Sequence, residues 1–418
     1  MGGKNEQAKK RRVVVVGGSI AGLCCAHGLL RSSEWLEVVV FERARSVSSA
    51  GAGLGLDSRA CDALRDWGLG DALEASSLPL FMEENRVVDS NREDHAVVKD
   101  DTFNHRAAHW SDLHHLIHDA LPSGIVRFGH EVHSFEELRG ADGEPRVRVR
   151  VSKGDDAIEE IEADFMVAAD GSMSQTREKF VPNEKRRYSG YCAWRGVLEA
   201  SNESVQEVAS TIKSVFPDVG HCLYFEIARN THAVLYELQK ERLNWLWYIN
   251  QPEPQLQGKS VTVKADEKAL KDLHEQAQRT WPPALAKLME STTNPFINAI
   301  FDREPLPQFV WGRVVLVGEA AHPTTPHGLR STNMSIVDAF VLGNSISKWG
   351  CNDIEAALDE YQGERVPITT REVLFSRHLG QLKQGLLSSA TDWLQADQQL
   401  KEQLLERNMH SFNPAATH

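Results

Sequence analysis

Residues 13–22 read Val-Val-Val-Val-Gly17-Gly18-Ser19-Ile20-Ala21-Gly22. Four consecutive β-branched residues fit a strand buried on both faces, and few other local structures accept such a run. Glycines follow at once, then an apolar, Ala/Leu-rich stretch to Leu30 with the character of a helix. A second apolar run, Val38-Val39-Val40-Phe41, ends in Glu42. Strand, glycine turn, helix, strand and acid, in that order, form the unit that binds a dinucleotide. Gly17 permits the tight turn, and Gly22 lets the helix lie close on the strand. The helix N-terminus then presents free N–H groups and a positive dipole end to a pyrophosphate. Glu42 sits where a carboxylate accepts hydrogen bonds from ribose hydroxyls. The middle glycine of the usual G-x-G-x-x-G pattern is Ser19, a small side chain that still admits a phosphate and can donate to it.

The length of 418 residues suggests about two or three domains. With 41% hydrophobic and 25% charged residues, the composition fits a globular chain with a substantial core. The net charge of −13 argues against nucleic acid or anionic lipid as a bulk electrostatic partner. Lys9-Lys10-Arg11-Arg12 reads as a solvated lead-in to the first strand. No run approaches the roughly 20 apolar residues of a membrane helix, and none reads as a signal peptide. The six cysteines show no metal spacing, and no metal is expected. A reduced, cytoplasmic setting fits them, with the chain as monomer or homodimer.

Further along, Gly51-Ala-Gly-Leu-Gly-Leu56 reads as a glycine-rich loop and Ser58–Trp67 as a short helix. Trp110–Leu121 is a helix with Ser111 as N-cap and Pro122 as stop; its His114, His115 and His118 belong to a polar, half-exposed face. Residues 125–128, 146–151 and 158–161 read as strands, and Met166–Ala169 as a buried strand ending at Asp170-Gly171. Residues 188–198, 222–227, 233–238 and 243–249 alternate and are rich in Tyr, Trp and Val, so they suggest an antiparallel sheet. The tryptophans on 243–249 either fill that sheet's core or line a pocket. Residues 264–290 look helical, Arg313–Val317 is another buried strand running into Gly318-Glu319, and helices follow at 333–349, 353–363 and 391–406.

The fold class expected is therefore α/β: a Rossmann-type domain with a parallel sheet, interrupted by an antiparallel-sheet domain, plus C-terminal helices. Residues 1–78, 103–187 and 305–350 would form the nucleotide-binding domain, 79–102 and 188–304 the second domain, and 351–418 the C-terminal helices. Three strands, near 16, 169 and 317, each end in a glycine-bearing turn, and in an open parallel sheet such ends line one crevice.

Together the three turns resemble the class A flavin monooxygenases of the para-hydroxybenzoate hydroxylase fold, over roughly residues 12–370. Asp170-Gly171-Ser-Met-Ser174-Gln-Thr-Arg177 is similar to that family's D-G-x-x-S-x-x-R segment, which touches FAD and the passing nicotinamide cofactor. Gly318-Glu319-Ala-Ala-His322-Pro323 is similar to G-D-A-A-H-P, whose acid holds the ribityl chain; here the carboxylate sits one methylene further out. Pro326-His327-Gly328-Leu-Arg-Ser331-Thr332-Asn333 falls where the family places the loop beside the flavin ring, with Ser331 where a glycine is usual and Asn333 near the pyrimidine edge. Trp110 stands where many members carry an arginine that contacts flavin. Tyr188–Gly196 and Leu243–Tyr248 resemble dihydroxypyridine hydroxylase and related heterocycle hydroxylases, as does Pro326-His327.

The resemblance implies FAD held by Gly17, Ser19, Ile20, Ala21, Gly22, Glu42 and Arg43 in the first unit, and by Trp110, Val132, Asp170, Gly171 and Arg177 in the next. Gly318, Glu319, Gly328, Thr332 and Asn333 complete that set. It implies that NADPH or NADH reduces FAD without a Rossmann unit of its own, since only one fingerprint is present. Dioxygen then adds at flavin C4a, and one oxygen atom passes to an electron-rich aromatic or heteroaromatic small molecule. A base would ionise that ring. His327, following Pro326 at the flavin loop, is the first candidate, with Tyr224, Tyr236 and His221 on the inserted sheet as alternatives. Other activities stay open: a flavin oxidase or reductase that inserts no oxygen, or a flavin-binding module without turnover. Trp245-Leu-Trp247-Tyr-Ile249 is similar to the W-x-W-x-I-P of flavin halogenases, but position 250 is Asn and no matching lysine motif is present.

Overall fold

The structure, a computed structural model, describes residues 10–47, 51–154, 157–201, 203–256, 261–263, 265–350 and 353–386. The valine run forms the strand Arg11–Val16 at the centre of a six-stranded sheet. Its neighbours are Leu36–Glu42 and Phe165–Ala168, both parallel to it, with Val13 opposite Val38 on one side and Phe165 on the other. Val126–Phe128 and Val314–Leu316 extend the sheet in parallel, and Val310–Trp311 closes one edge antiparallel. Val13, Val14 and Val15 are fully buried, as strands covered on both faces require.

The second domain is an eight-stranded sheet. Its order is Thr262–Val263, Phe296–Asp302, Arg187–Glu199, Arg242–Asn250, Thr231–Leu238, Cys222–Ala228, Met82–Val88 and Asp94–Asp100. Met82–Val88 pairs parallel with Cys222–Ala228, so the segment before residue 102 joins this sheet across more than a hundred residues of chain. One face packs on the helices Gln206–Val215, Glu267–Thr280 and Pro283–Ser291, and the other faces the nucleotide-binding domain.

Two smaller three-stranded sheets link these domains. One joins His130–Arg139, Pro145–Lys153 and Glu159–Ala163, the other Gly53–Asp57, His105–His109 and Ser77–Leu80. The Gly51–Leu56 stretch is thus largely a strand rather than a loop, because alternate Leu54 and Leu56 pack while the glycines admit neighbours.

Two further expectations are corrected. The helix Trp110–Asp119 is capped by His109, whose ring accepts the Ser111 N–H at 3.3 Å, so Ser111 lies inside the first turn. The helix Ile354–Lys383 runs through Pro367 instead of stopping near 363. The carbonyl that Pro367 crowds belongs to Gly363, which has open space around it, and buried Val373, Phe375 and Leu379 further along reward continuation. The expected helix 391–406 lies outside the described residues. No helix among the described residues is long and apolar enough to cross a membrane.

Candidate active site

A cavity of about 480 Å³ opens at the ends of the first two strands, lined by Gly17, Ser19, Glu42, Arg43, Val132, Asp170 and Gly171. The turn that makes it is sterically committed. Gly17 has φ +104°, and a Cβ there would lie 2.3 Å from the Ala169 carbonyl oxygen. A Cβ on Gly22 would lie 1.8 Å from the Gly17 carbonyl oxygen. The Glu42 carboxylate accepts the N–H groups of Gly18 and Ala44, each at 2.7 Å, which holds the acid at the cavity edge. Asp170 accepts from Thr176 N at 3.2 Å and Thr176 Oγ1 at 3.1 Å through Oδ2, while its buried Oδ1 has no partner among the described residues. An orphaned carboxylate oxygen, a helix N-terminus and a side-chain-free turn suit the ribose and pyrophosphate of FAD.

The turn Asp170-Gly171-Ser172 separates this cavity from a second, of about 360 Å³, lined on one side by Glu319, Pro326, His327, Gly328, Leu329 and Arg330. Glu319 accepts the Ser331 hydroxyl at 2.7 Å, so the residue in place of the usual glycine anchors the longer acid. Gly328 and Leu329 are both left-handed, with φ +71° and +58°. For leucine that backbone costs about 1–2 kcal/mol, offset here by packing of its side chain against Gly55. Asn333 donates to the carbonyl oxygens of Gly55 and Leu329 and accepts the Asp57 N–H at 2.9 Å, which ties the loop to the strand Gly53–Asp57. The helix Arg330–Trp349 starts here and aims its N-terminus at the cavity.

The opposite wall is the inserted sheet, and strand periodicity decides what faces in. His232, Val234 and Tyr236 line the cavity from one strand, Leu246 and Tyr248 from the next, and Arg195 and Phe225 from two others. The intervening residues point the other way: Tyr224, Trp245 and Trp247 sit in the core behind the sheet. Tyr224 pairs in register with Leu235, the neighbour of Tyr236, so the two tyrosines occupy opposite faces. Tyr224 is therefore not brought to the cavity; its hydroxyl accepts the Asp218 N–H at 3.3 Å. His221 is half-buried, 3.4 Å from Asp218, and also does not line the cavity.

Several expected cofactor residues act from behind. Buried Arg177 holds Glu184 through two 2.6 Å contacts and donates to the carbonyls of Ala321 (2.5 Å) and Glu304 (2.9 Å), so it braces the Gly318 turn without lining either cavity. Ala21 packs against Gly318, and Ile20 is buried at the first position of its helix, Ile20–Ser32. Thr332 is half-buried in the first turn of its helix. Trp110 stacks on His114 at 4.8 Å, and His114 Nε2 lies 2.7 Å from the Gly18 carbonyl oxygen. His115 and His118 bond to the Ser111 carbonyl and Asp119.

The cavity's polar cluster is deeply buried. Burial holds His327 down at about 3, helped by the Lys383 and Arg195 cations. His232 is also pushed well below its ordinary value, by burial, then by His327 and Lys383. Burial raises the Tyr236 hydroxyl far above its ordinary value, so it stays protonated and serves as a donor rather than a base. From the sequence, Arg195 and Tyr248 stand out only as members of the segments that resemble heterocycle hydroxylases, and His232 and Gln384 not at all. Spacing of two and four from Tyr236 would have found His232, but nothing local points to Gln384.

Two cavities meeting where three strand ends converge, one shaped for a dinucleotide and one walled by aromatic and titratable side chains, define a flavoprotein oxidoreductase of small ring compounds. Residues 10–376 match the FAD binding domain family, and the chain belongs to it. It is an FAD-dependent monooxygenase of aromatic or heteroaromatic rings, with NAD(P)H as reductant. It is 28% identical over 370 residues to the 6-hydroxynicotinate 3-monooxygenase of Bordetella bronchiseptica, a match covering 87% of this chain and 89% of that protein. Among solved structures it is similar to HpxO of Klebsiella pneumoniae complexed with FAD and uric acid, with TM-score 0.76, 24% identity, and 96% and 95% of the two chains covered. It is also similar to 2,6-dihydroxypyridine-3-hydroxylase of Arthrobacter nicotinovorans, with TM-score 0.76, 22% identity, and 91% and 94% covered.

Proposed function

We propose that the substrate is a hydroxylated aromatic or heteroaromatic ring carrying an anionic group such as a carboxylate, seated in the cavity of about 360 Å³ beside the Gly328 loop. The observation that carries this is Arg195, a cation on the cavity wall whose buried Nε has no hydrogen-bond partner among the described residues. A guanidinium left that way in a largely apolar cavity favours an anion. The 6-hydroxynicotinate named for the Bordetella relative is a ring of this kind. Tyr236 donates to the ring's polar substituent, and the His232–His327 pair manages the proton of its hydroxyl. Pro326 shapes the loop that holds His327.

FAD, reduced by NAD(P)H, supplies the electrons and the activation of dioxygen when bound. Gly17, Ser19, Glu42, Arg43, Val132, Asp170 and Gly171 would hold its adenosine and pyrophosphate, and Glu319, Gly328 and Asn333 would flank its ring. Arg177 and Gly318 position that turn, and Trp110 supports the Gly18 turn through His114. Residues 1–78, 103–187 and 305–350 form the cofactor domain, and 79–102 with 188–304 the substrate domain. The buried free cysteines support a reduced, cytoplasmic setting, with the chain as monomer or homodimer.

The test is NAD(P)H oxidation by purified holoenzyme over a panel of hydroxybenzoates and hydroxypyridine carboxylates. The expected result is substrate-stimulated oxidation with a product one oxygen atom heavier. Stimulation by uncharged rings alone, or peroxide as the sole product, overturns the reading.

A further inference from the structure

His327 and His232 approach through their Nε2 atoms at 3.3 Å, and two neutral rings in that arrangement must divide the roles of donor and acceptor. Which ring donates is settled outside the cavity, by one backbone carbonyl. Asn250 Nδ2 donates to the main-chain oxygen of Gln384 at 2.9 Å, an atom that can only accept. Asn250 Oδ1 therefore faces the other way and accepts Gln384 Nε2 at 2.7 Å. That orientation leaves Gln384 Oε1 to His232 Nδ1, also at 2.7 Å, and an amide oxygen can only accept. His232 accordingly carries its hydrogen on Nδ1 and a lone pair on Nε2. His327 must then donate from Nε2, and its bare Nδ1 takes the Tyr191 hydroxyl at 3.3 Å. A Cβ on Gly380 would lie 2.7 Å from that Nδ1 and 2.4 Å from the Tyr191 oxygen, so this edge of His327 is packed on the last helix.

We infer that Gln384, itself oriented by Asn250, is a positioning residue that locks His232 in the tautomer whose Nε2 carries a lone pair; that lone pair, which otherwise accepts His327 Nε2–H, becomes the proton acceptor for a ring hydroxyl that replaces this contact. This rests on the substrate site proposed above. Both rings line the cavity, and a ring oxygen that parts the 3.3 Å contact of the two Nε2 atoms would meet one donor and one acceptor. In the step, the ring O–H bond breaks and an N–H bond forms at His232 Nε2. The oxygen keeps the electron pair and accepts a hydrogen bond from His327 Nε2–H, which stays on His327, while the His232 imidazolium keeps its Nδ1–H on Gln384. Neutral rings are what the surroundings enforce. His232 is stacked on Tyr248 at 4.4 Å, and Lys383 and Arg195 are the cations that bear on the pair. A ring oxyanion against His232 offsets the burial that otherwise disfavours its charged form.

The lock is tested in FAD-loaded enzyme with 4-hydroxy-3-nitrobenzoate, a ring carboxylate whose nitrophenolate is seen by its visible absorbance, and by 15N chemical shifts of selectively labelled histidine, with His232 assigned through His232→Asn. Wild type should show His232 protonated at Nδ1 and should lower the ionisation midpoint of the bound phenol. Gln384→Leu should abolish the tautomer preference and raise the midpoint by about one pH unit, a tenfold loss of phenolate at fixed pH. Gln384→Glu retains an acceptor for Nδ1–H and should restore both readouts, which separates the lock from a packing defect. His232 found protonated at Nε2, or a midpoint in Gln384→Leu equal to a lowered wild-type value, overturns the inference alone. A wild type that does not bind 4-hydroxy-3-nitrobenzoate, or binds it without shifting its phenol ionisation, counts against the substrate site itself and the inference with it.

Discussion

His322 Nε2 lies 2.5 Å from Asp338 Oδ2, and the same carboxylate oxygen accepts the Gly318 N–H at 2.9 Å. The other oxygen takes Arg365 Nε at 2.7 Å, so one fully buried acid joins the flavin-side turn to both long C-terminal helices. Burial alone would raise the Asp338 carboxyl, but His322, Arg365 and the Gly318 N–H outweigh it and hold the group at about 2. Its stabilisation is thus present above the ordinary carboxylate range and is lost as pH falls through about 2. Asp338→Ala strands Arg365 without its carboxylate, a cost of about 3–5 kcal/mol. It also frees the Gly318 turn. Thermal unfolding should show the loss, and gel filtration should show release of FAD from whatever folded protein remains.

The first turn makes a sharper prediction about cofactor retention. In Gly22→Ala the new methyl meets the Gly17 carbonyl oxygen at 1.8 Å, backbone against backbone, so the helix must move off the strand. Gly124→Ala, away from both cavities, places its methyl in open space and costs only the strain of φ +86°, about 1–2 kcal/mol. The ratio of flavin to protein absorbance after purification should therefore collapse in Gly22→Ala and stay near wild type in Gly124→Ala.

The contrast between those glycines follows what could be read from the chain. Buried β-branched runs next to glycine turns identify themselves, since their constraints are local, and the strands ending at 16, 168 and 316 lie close to where the residue pattern puts them. Strand parity was equally available in principle, but choosing between Tyr224 and Tyr236 needs the cross-strand register, which places Tyr224 opposite Leu235. The run of the last helix through Pro367 depends on tertiary packing that no local signal carries. Gln384 is a polar residue at that helix's end, and only the fold brings it 2.7 Å from a histidine 152 positions earlier.

Arg195 should set affinity more than rate. It lines the cavity with Tyr236 and Tyr248, and under the proposed reading its guanidinium meets the substrate's anionic group rather than the reacting atoms. A hydrogen bond to a charged group contributes about 1.5–3 kcal/mol. Arg195→Met should therefore raise KM for a hydroxylated ring carboxylate by roughly 10- to 100-fold, with kcat changed much less. Uncharged rings should lose little. Steady-state kinetics on 6-hydroxynicotinate and on 2-hydroxypyridine, which lacks the carboxylate, make the comparison. An equal loss on both would show that Arg195 serves the sheet instead of the substrate.

Behind the sheet, Glu226 is fully buried, with Arg86 Nε 3.3 Å away as its cation. Arg86 also serves Asp94 at 2.6 Å and Glu84 at 3.5 Å, so three carboxylates share one guanidinium. Burial, then Asp94, drives Glu226 up to about 8 against the pull of Arg86. A carboxyl raised on folding stabilises most while the folded protein keeps its proton. That contribution is complete below the ordinary carboxylate range and is lost as pH climbs through about 8. Glu226→Gln keeps the shape without the ionisation, so its stability relative to wild type should rise across that window and level off above it. The expected gain by pH 9 is about 1 kcal/mol or more. Urea unfolding of both proteins between pH 5 and 9 measures it, and parallel curves across that range would mean Glu226 already carries its charge at neutral pH.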